Sequence, residues 1–236
     1  PEGVAVSPDG KWVYVSSETS HAISVIDAAS FKVVATVLVG DRPRAIAFSP
    51  DGTRAYVTAE VGGTVSILDA KAHKVLETIS VLRGGEKEKP MGVAVTPDGS
   101  KLYVSTGRGN TVAVIDAKTH NVLRYIPVGK RAWGIAITPD GKRAFTANGV
   151  SANVSVIDTE TDKVVATLPA GFAALGRPAP EAAAACGEIG LPLRRLAGRL
   201  QHLLDEEPEL YDSDQRRRLE GSLRSLGRRV LLRVEK

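Results

Sequence analysis

The sequence is poor in the residues that staple small proteins or carry chemistry. A single cysteine, Cys186, stands among 236 residues, so no intrachain disulfide can form. That scarcity fits either side of a membrane, because large β proteins persist outside the cytosol without disulfides. No apolar run approaches the roughly 20 residues that a membrane-spanning helix needs. There are four histidines, His21, His73, His120 and His202, and no two of them have ligand spacing, so no metal is assigned. A phosphate-binding Gly-Lys-Ser/Thr loop is absent, as is a nucleophile beside its base; no cofactor and no catalytic residue are assigned. A dominant charge sign is lacking too. The formal charge of +4 is spread along the chain and does not call for nucleic acid or anionic lipid.

What the chain has is repetition. Ser7-Pro8-Asp9-Gly10 returns at Ser49, Thr96 and Thr138, in steps of 42, 47 and 42 residues. Asp27, Asp69, Asp116 and Asp158 each close a run of the type Val-Ser-Val-Ile-Asp at the same steps. Two markers in phase define a repeat protein. In the first repeat Val4-Ala5-Val6 is a short apolar strand, a, ending in a Pro-Asp-Gly hairpin turn where glycine tolerates positive φ. Trp12 to Ser16 and Ile23 to Asp27, rich in aromatic and β-branched residues, give strands b and c, and Lys32 to Val37 gives strand d. The other repeats obey the same grammar. Four short antiparallel strands in about 42 residues match one blade of a β-propeller.

The expected fold is therefore all-β, with four four-stranded blades at residues 1–42, 43–89, 90–131 and 132–171. Four blades make an incomplete ring, and closing it calls for further blades or for self-association; missing blades are the expected explanation, because the repeats start at one blade boundary and stop at another. Residue 1 is Pro and opens a repeat, so the N-terminus reads as cut and a signal peptide as out of view.

The runs Gly-Val-Ala-Val-Ser-Pro-Asp-Gly-Lys, Val-Tyr-Val-Ser, Val-Ser-Val-Ile-Asp and Lys-Val-Val-Ala-Thr resemble the YVTN family of β-propeller repeats over residues 1–171. This is the repeat of bacterial exported propellers and archaeal surface-layer proteins, and the chain also resembles propellers that accompany PQQ-dependent alcohol catabolism. The resemblance implies a periplasmic or extracellular propeller, often of seven blades, with no shared catalytic reaction.

After Gly171 the composition changes. Residues 172–236 hold 11 Arg, one Lys and no Thr. Residues 172–180 read as a linker. From Glu181 the apolar period shifts from two to about 3.6: Ile189, Leu193, Leu196, Leu200 and Leu203 line one helical face, and Leu219, Leu223, Leu226, Val230 and Val234 another. Pro208 separates them and Asp212 with Gln215 reads as a capping box, so residues 181–236 are expected to form an α-helical hairpin. Its arginines, Arg216 to Arg218 among them, read as a solvated face.

In a four-stranded meander the a–b and c–d turns lie at one end of the sheet, and the b–c loops and d-to-a crossovers at the other. The aspartates of the first end read as turn residues that accept backbone N–H groups, and His73 and His120, in a column with Phe31 and Asp162, as solvated turn positions. The second end is where the repeats differ. Its b–c loops carry Glu18, Glu60, Arg108 and Asn148, and the residues that open each blade are Glu2, Arg44, Met91 and Trp133. An insertion, Gly84 to Lys89, falls there as well. Variation on a rigid scaffold marks this end as the expected binding face for an unidentified protein or small molecule, with Arg44, Arg108 and Trp133 as anchors. The glycines flanking Arg108 suggest an adaptable loop. Two functions follow: a non-enzymatic binding or scaffold propeller, or a lactonase-type hydrolytic propeller with its site at the channel mouth.

Overall fold

The computed structural model describes residues 1–170; the expected linker and helical hairpin, with Cys186 and His202, lie outside the described residues. The described part is all-β. Blade 1 contains β1 (Val4–Val6), β2 (Trp12–Ser17), β3 (Ala22–Asp27) and β4 (Val33–Leu38). Blade 2 contains β5 (Pro43–Phe48), β6 (Arg54–Ala59), β7 (Thr64–Asp69) and β8 (Lys74–Ser80). The insertion forms its own hairpin, β9 (Leu82–Arg83) with β10 (Glu86–Lys87). Gly84 and Gly85 make its turn with φ of 60° and 85°, the doubly positive pair that a two-residue hairpin requires. Blade 3 contains β11 (Val93–Val95), β12 (Lys101–Ser105), β13 (Thr111–Asp116) and β14 (Val122–Pro127). Blade 4 contains β15 (Ala132–Ile137), β16 (Arg143–Asn148), β17 (Asn153–Asp158) and β18 (Lys163–Pro169). Each blade is an antiparallel meander whose four strands lie in chain order, a to d.

The turns explain the rhythm. Asp9 accepts from the Ser7 hydroxyl at 2.6 Å and from the Lys11 amide at 3.0 Å, and Gly10 adopts φ of 72°. Asp51, Asp98 and Asp140 repeat this arrangement. At the c–d turns Asp27, Asp69, Asp116 and Asp158 accept backbone N–H groups two or three residues on. Strand d then carries one extra residue in every blade, at Val34, Leu76, Leu123 and Val165, which leaves a bulge on an outer strand. Such bulges blunt an edge that would otherwise pair with foreign strands.

The core lies between blades. The forward face of blade 1, with Tyr14, Ile23, Val25 and Val37, packs on the rear face of blade 2, with Ile46, Ala55, Val57 and Leu68. Tyr56, Val65, Ile67 and Ile79 of blade 2 meet Val93, Leu102, Val104 and Ile115 of blade 3 in the same way. Tyr103, Val112, Val114 and Ile126 then meet Ala144 and Ile157 of blade 4. A single sheet buries one face through each neighbour, so the blades stabilise one another in series.

Candidate functional site

The crossover face is held from beneath by a hydroxyl on strand b. Ser16 Oγ accepts from the Gly3 amide of its own blade at 2.8 Å and donates to the Arg44 carbonyl of the next blade at 2.7 Å. Thr58 links the Ala45 amide, 2.9 Å, to the Met91 carbonyl, 2.6 Å. Ser105 links the Gly92 amide, 2.8 Å, to the Trp133 carbonyl. The fourth member of this column is Ala147, which has no hydroxyl. The blade-opening residues Arg44, Met91 and Trp133 are thus fixed through their own backbone by the preceding blade. Small residues make the approach close enough: a Cβ on Gly92 would lie 2.7 Å from the Trp133 carbonyl oxygen, whereas Gly134 has nothing within 4 Å.

Over blades 1 and 2 the face is a lattice of ion pairs. Arg44 is buried, and its guanidinium meets Glu2 at 3.0 Å, Glu18 at 2.9 Å and Glu60 at 2.5 Å. Arg42 completes the group through Glu18 at 2.7 Å and Glu60 at 3.5 Å. The hydrogen bond from Arg42 holds the Glu18 carboxyl below its ordinary value. Four of the sequence-derived site residues, Glu2, Glu18, Arg44 and Glu60, are therefore brought together, with Arg44 engaged by carboxylates rather than presented to solvent.

The remaining four are separate from that group. Met91 is buried against Gly107, whose φ is 54° and whose amide donates to the Ala132 carbonyl at 2.9 Å. Arg108 is exposed at the tip of this loop. Its flanking glycines serve close packing rather than adaptability, since a Cβ on Gly109 would collide with the Glu88 carboxylate and one on Gly107 with Met91. Glu88 is itself buried and paired with Arg83 of the insertion hairpin. Trp133 is 40% exposed and carries the Arg131 guanidinium 4.9 Å above its ring, a cation–π arrangement. Asn148 is buried, donating to Asn153 at 2.8 Å and Ser155 at 2.9 Å, while its Oδ1 meets no described partner.

Sequence reasoning misses Arg42, Arg131 and Glu88. The signal for the first two is a positive φ at matching crossover positions, 60° in each, which sequence alone does not display. Charge is also divided along the face. Blades 1 and 2 carry Glu2, Glu18, Asp41 and Glu60 against Arg42 and Arg44; the insertion and blades 3 and 4 carry Arg83, Lys87, Lys89, Arg108, Lys130 and Arg131 against Glu86 and Glu88, and of these cations only Arg83 is paired with a described carboxylate. Among the described residues no group of three or more His, Cys, Asp or Glu is placed to hold a metal ion, and no helix is long and apolar enough to cross a membrane.

At the opposite end the structure corrects the turn column. His73 is half-buried, its Nδ1 2.8 Å from the Tyr14 hydroxyl of the preceding blade and its ring edge-on to Trp12. Asp162 is buried against the Tyr103 hydroxyl and Lys101 of blade 3. His120 reaches Glu77 of blade 2 at 2.7 Å. These are clasps between blades rather than free turn positions. All four members of the column have positive φ, between 51° and 61°, which swings the side chain backwards.

Residues 27–170 match a family model described as Lactonase, 7-bladed beta-propeller. Among solved structures, hydrazine synthase from Kuenenia stuttgartiensis is similar at 29% identity with a TM-score of 0.65, over 71% of this chain and 48% of that one. A functionally unknown protein from Desulfotomaculum acetoxidans is similar at 19% identity with a TM-score of 0.62, over 71% of this chain and 56% of the other. The chain thus spans about half the length of the solved structures it matches. No curated protein matches it.

Proposed function

Since the chain belongs to the Lactonase family of seven-bladed β-propellers, we propose from that premise that it is a binding propeller whose working face is the one bearing the b–c loops and crossovers. The carrying observation is the engagement of the face's carboxylates. Glu18 and Glu60 are held by Arg42 and Arg44, and Glu88 by Arg83. A carboxylate neutralised by guanidinium is a weak base and a poor metal ligand, but the same pairing builds a rigid, patterned surface. Arg44 then acts by positioning its neighbours. Arg108 and Trp133 supply the exposed contacts, within a sector whose unpaired cations suit an anionic ligand or an acidic protein surface. We further propose, on the repeat resemblance alone, that the protein works in the periplasm or outside the cell.

The test is capture by the immobilised full chain from the source's own extract. Arg108→Ala and Trp133→Ala should each weaken capture roughly thirtyfold, equivalent to about 2 kcal/mol for a hot spot. Only the Arg108 contribution should fall as salt rises. Lys11→Ala and Lys142→Ala, on the a–b turns, should change little. Capture lost through those turns, and kept in the Arg108 and Trp133 variants, would place the working face at the other end.

A second reading, lactone hydrolysis, is favoured by the family match itself. Acid release from a panel of lactones, followed with and without added divalent cations, separates the two. Turnover abolished by substitutions on the crossover face would favour the hydrolase.

A further inference from the structure

We infer that the crossover from blade 1 to blade 2 carries a proton-operated latch, His21, which holds the chain at neutral pH and lets go in mild acid. His21 ends the b–c loop of blade 1 with φ of 51°, and its carbonyl accepts from the Val39 amide at 2.8 Å. Its ring Nδ1 accepts from the Arg42 amide at 3.0 Å. A backbone N–H can only donate, so Nδ1 must offer a lone pair, and only a neutral ring has one to offer. The Arg42 carbonyl in turn accepts from the Glu60 amide at 3.0 Å. One residue thus ties the b–c loop of blade 1 to that of blade 2. Arg42 itself sits at φ of 60°, a backbone that a non-glycine residue keeps only when its surroundings hold it there, and its side chain meets Glu18 and Glu60 of the ion-pair lattice.

The chain contains its own control. Asn110 occupies the same position in blade 3, at φ of 58°, and its carbonyl accepts from the Val128 amide at 3.0 Å. Its Oδ1 accepts from the Arg131 amide at 2.7 Å, and the Arg131 carbonyl accepts from the Gly149 amide at 3.0 Å. Arg131, like Arg42, has φ of 60°. The two latches match bond for bond, but the asparagine amide does not titrate, whereas histidine changes charge between about pH 5 and 8. The His21 ring is exposed, so solvent protons reach it. The charged groups around it set the sense of the change. The Asp41 carboxylate lies 3.9 Å from Nδ1, and the Arg42 guanidinium beside it is held by Glu18 and Glu60. A protonated Nδ1 would face the Arg42 N–H donor to donor, while Asp41 offers it an acceptor, so the ring exchanges one partner for the other. The other described histidines lack this response. His120 meets the Glu77 carboxylate at 2.7 Å, a contact that protonation strengthens, and the Tyr14 hydroxyl beside His73 can either donate or accept. The latch does not depend on what the face binds.

The test follows the Arg42 and Arg131 amides of the full chain by NMR from about pH 8 to 5, with the His21 ring protons reporting its own charge. Protection of the Arg42 amide against hydrogen exchange, corrected for the intrinsic rate at each pH, should fall about tenfold as His21 titrates, the loss of one hydrogen bond. Arg131 should keep its protection throughout. His21→Asn, which also tolerates positive φ, should hold the Arg42 amide across the whole range, and Asn110→His should confer the response on Arg131. Asp41→Asn removes the waiting carboxylate and should move the opening to lower pH. Constant Arg42 protection across the His21 titration would overturn the inference. So would an Arg42 response that survives in His21→Asn, which would assign it to the neighbouring carboxylates instead.

Discussion

At the level of single residues, the eight turn aspartates are the most consistent chemistry in the chain. Side-chain hydroxyls hold Asp9, Asp51, Asp98 and Asp140 below the usual carboxylate range, and turn N–H and hydroxyl groups do the same for Asp27, Asp69, Asp116 and Asp158. A carboxyl with a depressed folded value binds fewer protons folded than unfolded. Its contribution is complete above the unfolded value near pH 4 and drains away as pH falls through the folded value. From these carboxyls the urea midpoint should therefore drop as pH falls below about 4, and Asp98→Asn should make that drop shallower. The tyrosine column divides more sharply. Tyr103 bonds buried Asp162, whereas the Tyr56 hydroxyl meets no acceptor among the described residues. Tyr103→Phe should cost about 1–3 kcal/mol in urea unfolding and Tyr56→Phe close to nothing. Equal costs would mean that the clasp contributes nothing beyond ring packing.

At the level of elements, the joint between inner strands rests on the strand-b hydroxyl and on the absent Cβ opposite it. Ser105→Ala should cost about 1–2 kcal/mol by leaving the Gly92 amide and the Trp133 carbonyl without their shared partner. Gly92→Ala should cost more and shift Trp133 fluorescence, while Gly134→Ala, facing open space, is tolerated. Both variants unfolding at the same denaturant concentration would refute the close-approach argument. The strands themselves are legible in the sequence because their signals are local: Pro-Asp-Gly with positive-φ glycine, an Asp closing strand c, and alternation between them. The joints are not legible, since Tyr14 and His73 are 59 residues apart and nothing in spacing reveals which turn swings back onto which strand. For the same reason Arg44 reads as an exposed anchor but lies beneath three carboxylates, two of them from the preceding blade. Crossover position and loop identity can be read from periodicity; side-chain partners across a joint cannot.

At the level of the whole molecule, among the described residues blades 2 and 3 are packed on both faces and blades 1 and 4 on one, and protection follows packing. Amides of β6, β7, β12 and β13, in blades flanked on both sides, should exchange with deuterium slowest, and those of β2, β3, β16 and β17 faster. The hydroxyl relay carries a different consequence, for anyone wishing to transplant or shuffle these repeats. A residue that opens one blade takes its place from a serine or threonine in the blade before it, so a cut at the visible repeat boundary severs the bond that sets the residue's height. The natural cassette for exchange runs instead from one strand-b hydroxyl past the next blade's opening residue, as from Ser16 through Arg44 or from Thr58 through Met91. A graft that respects those limits inherits its loop together with the foundation on which the loop stands.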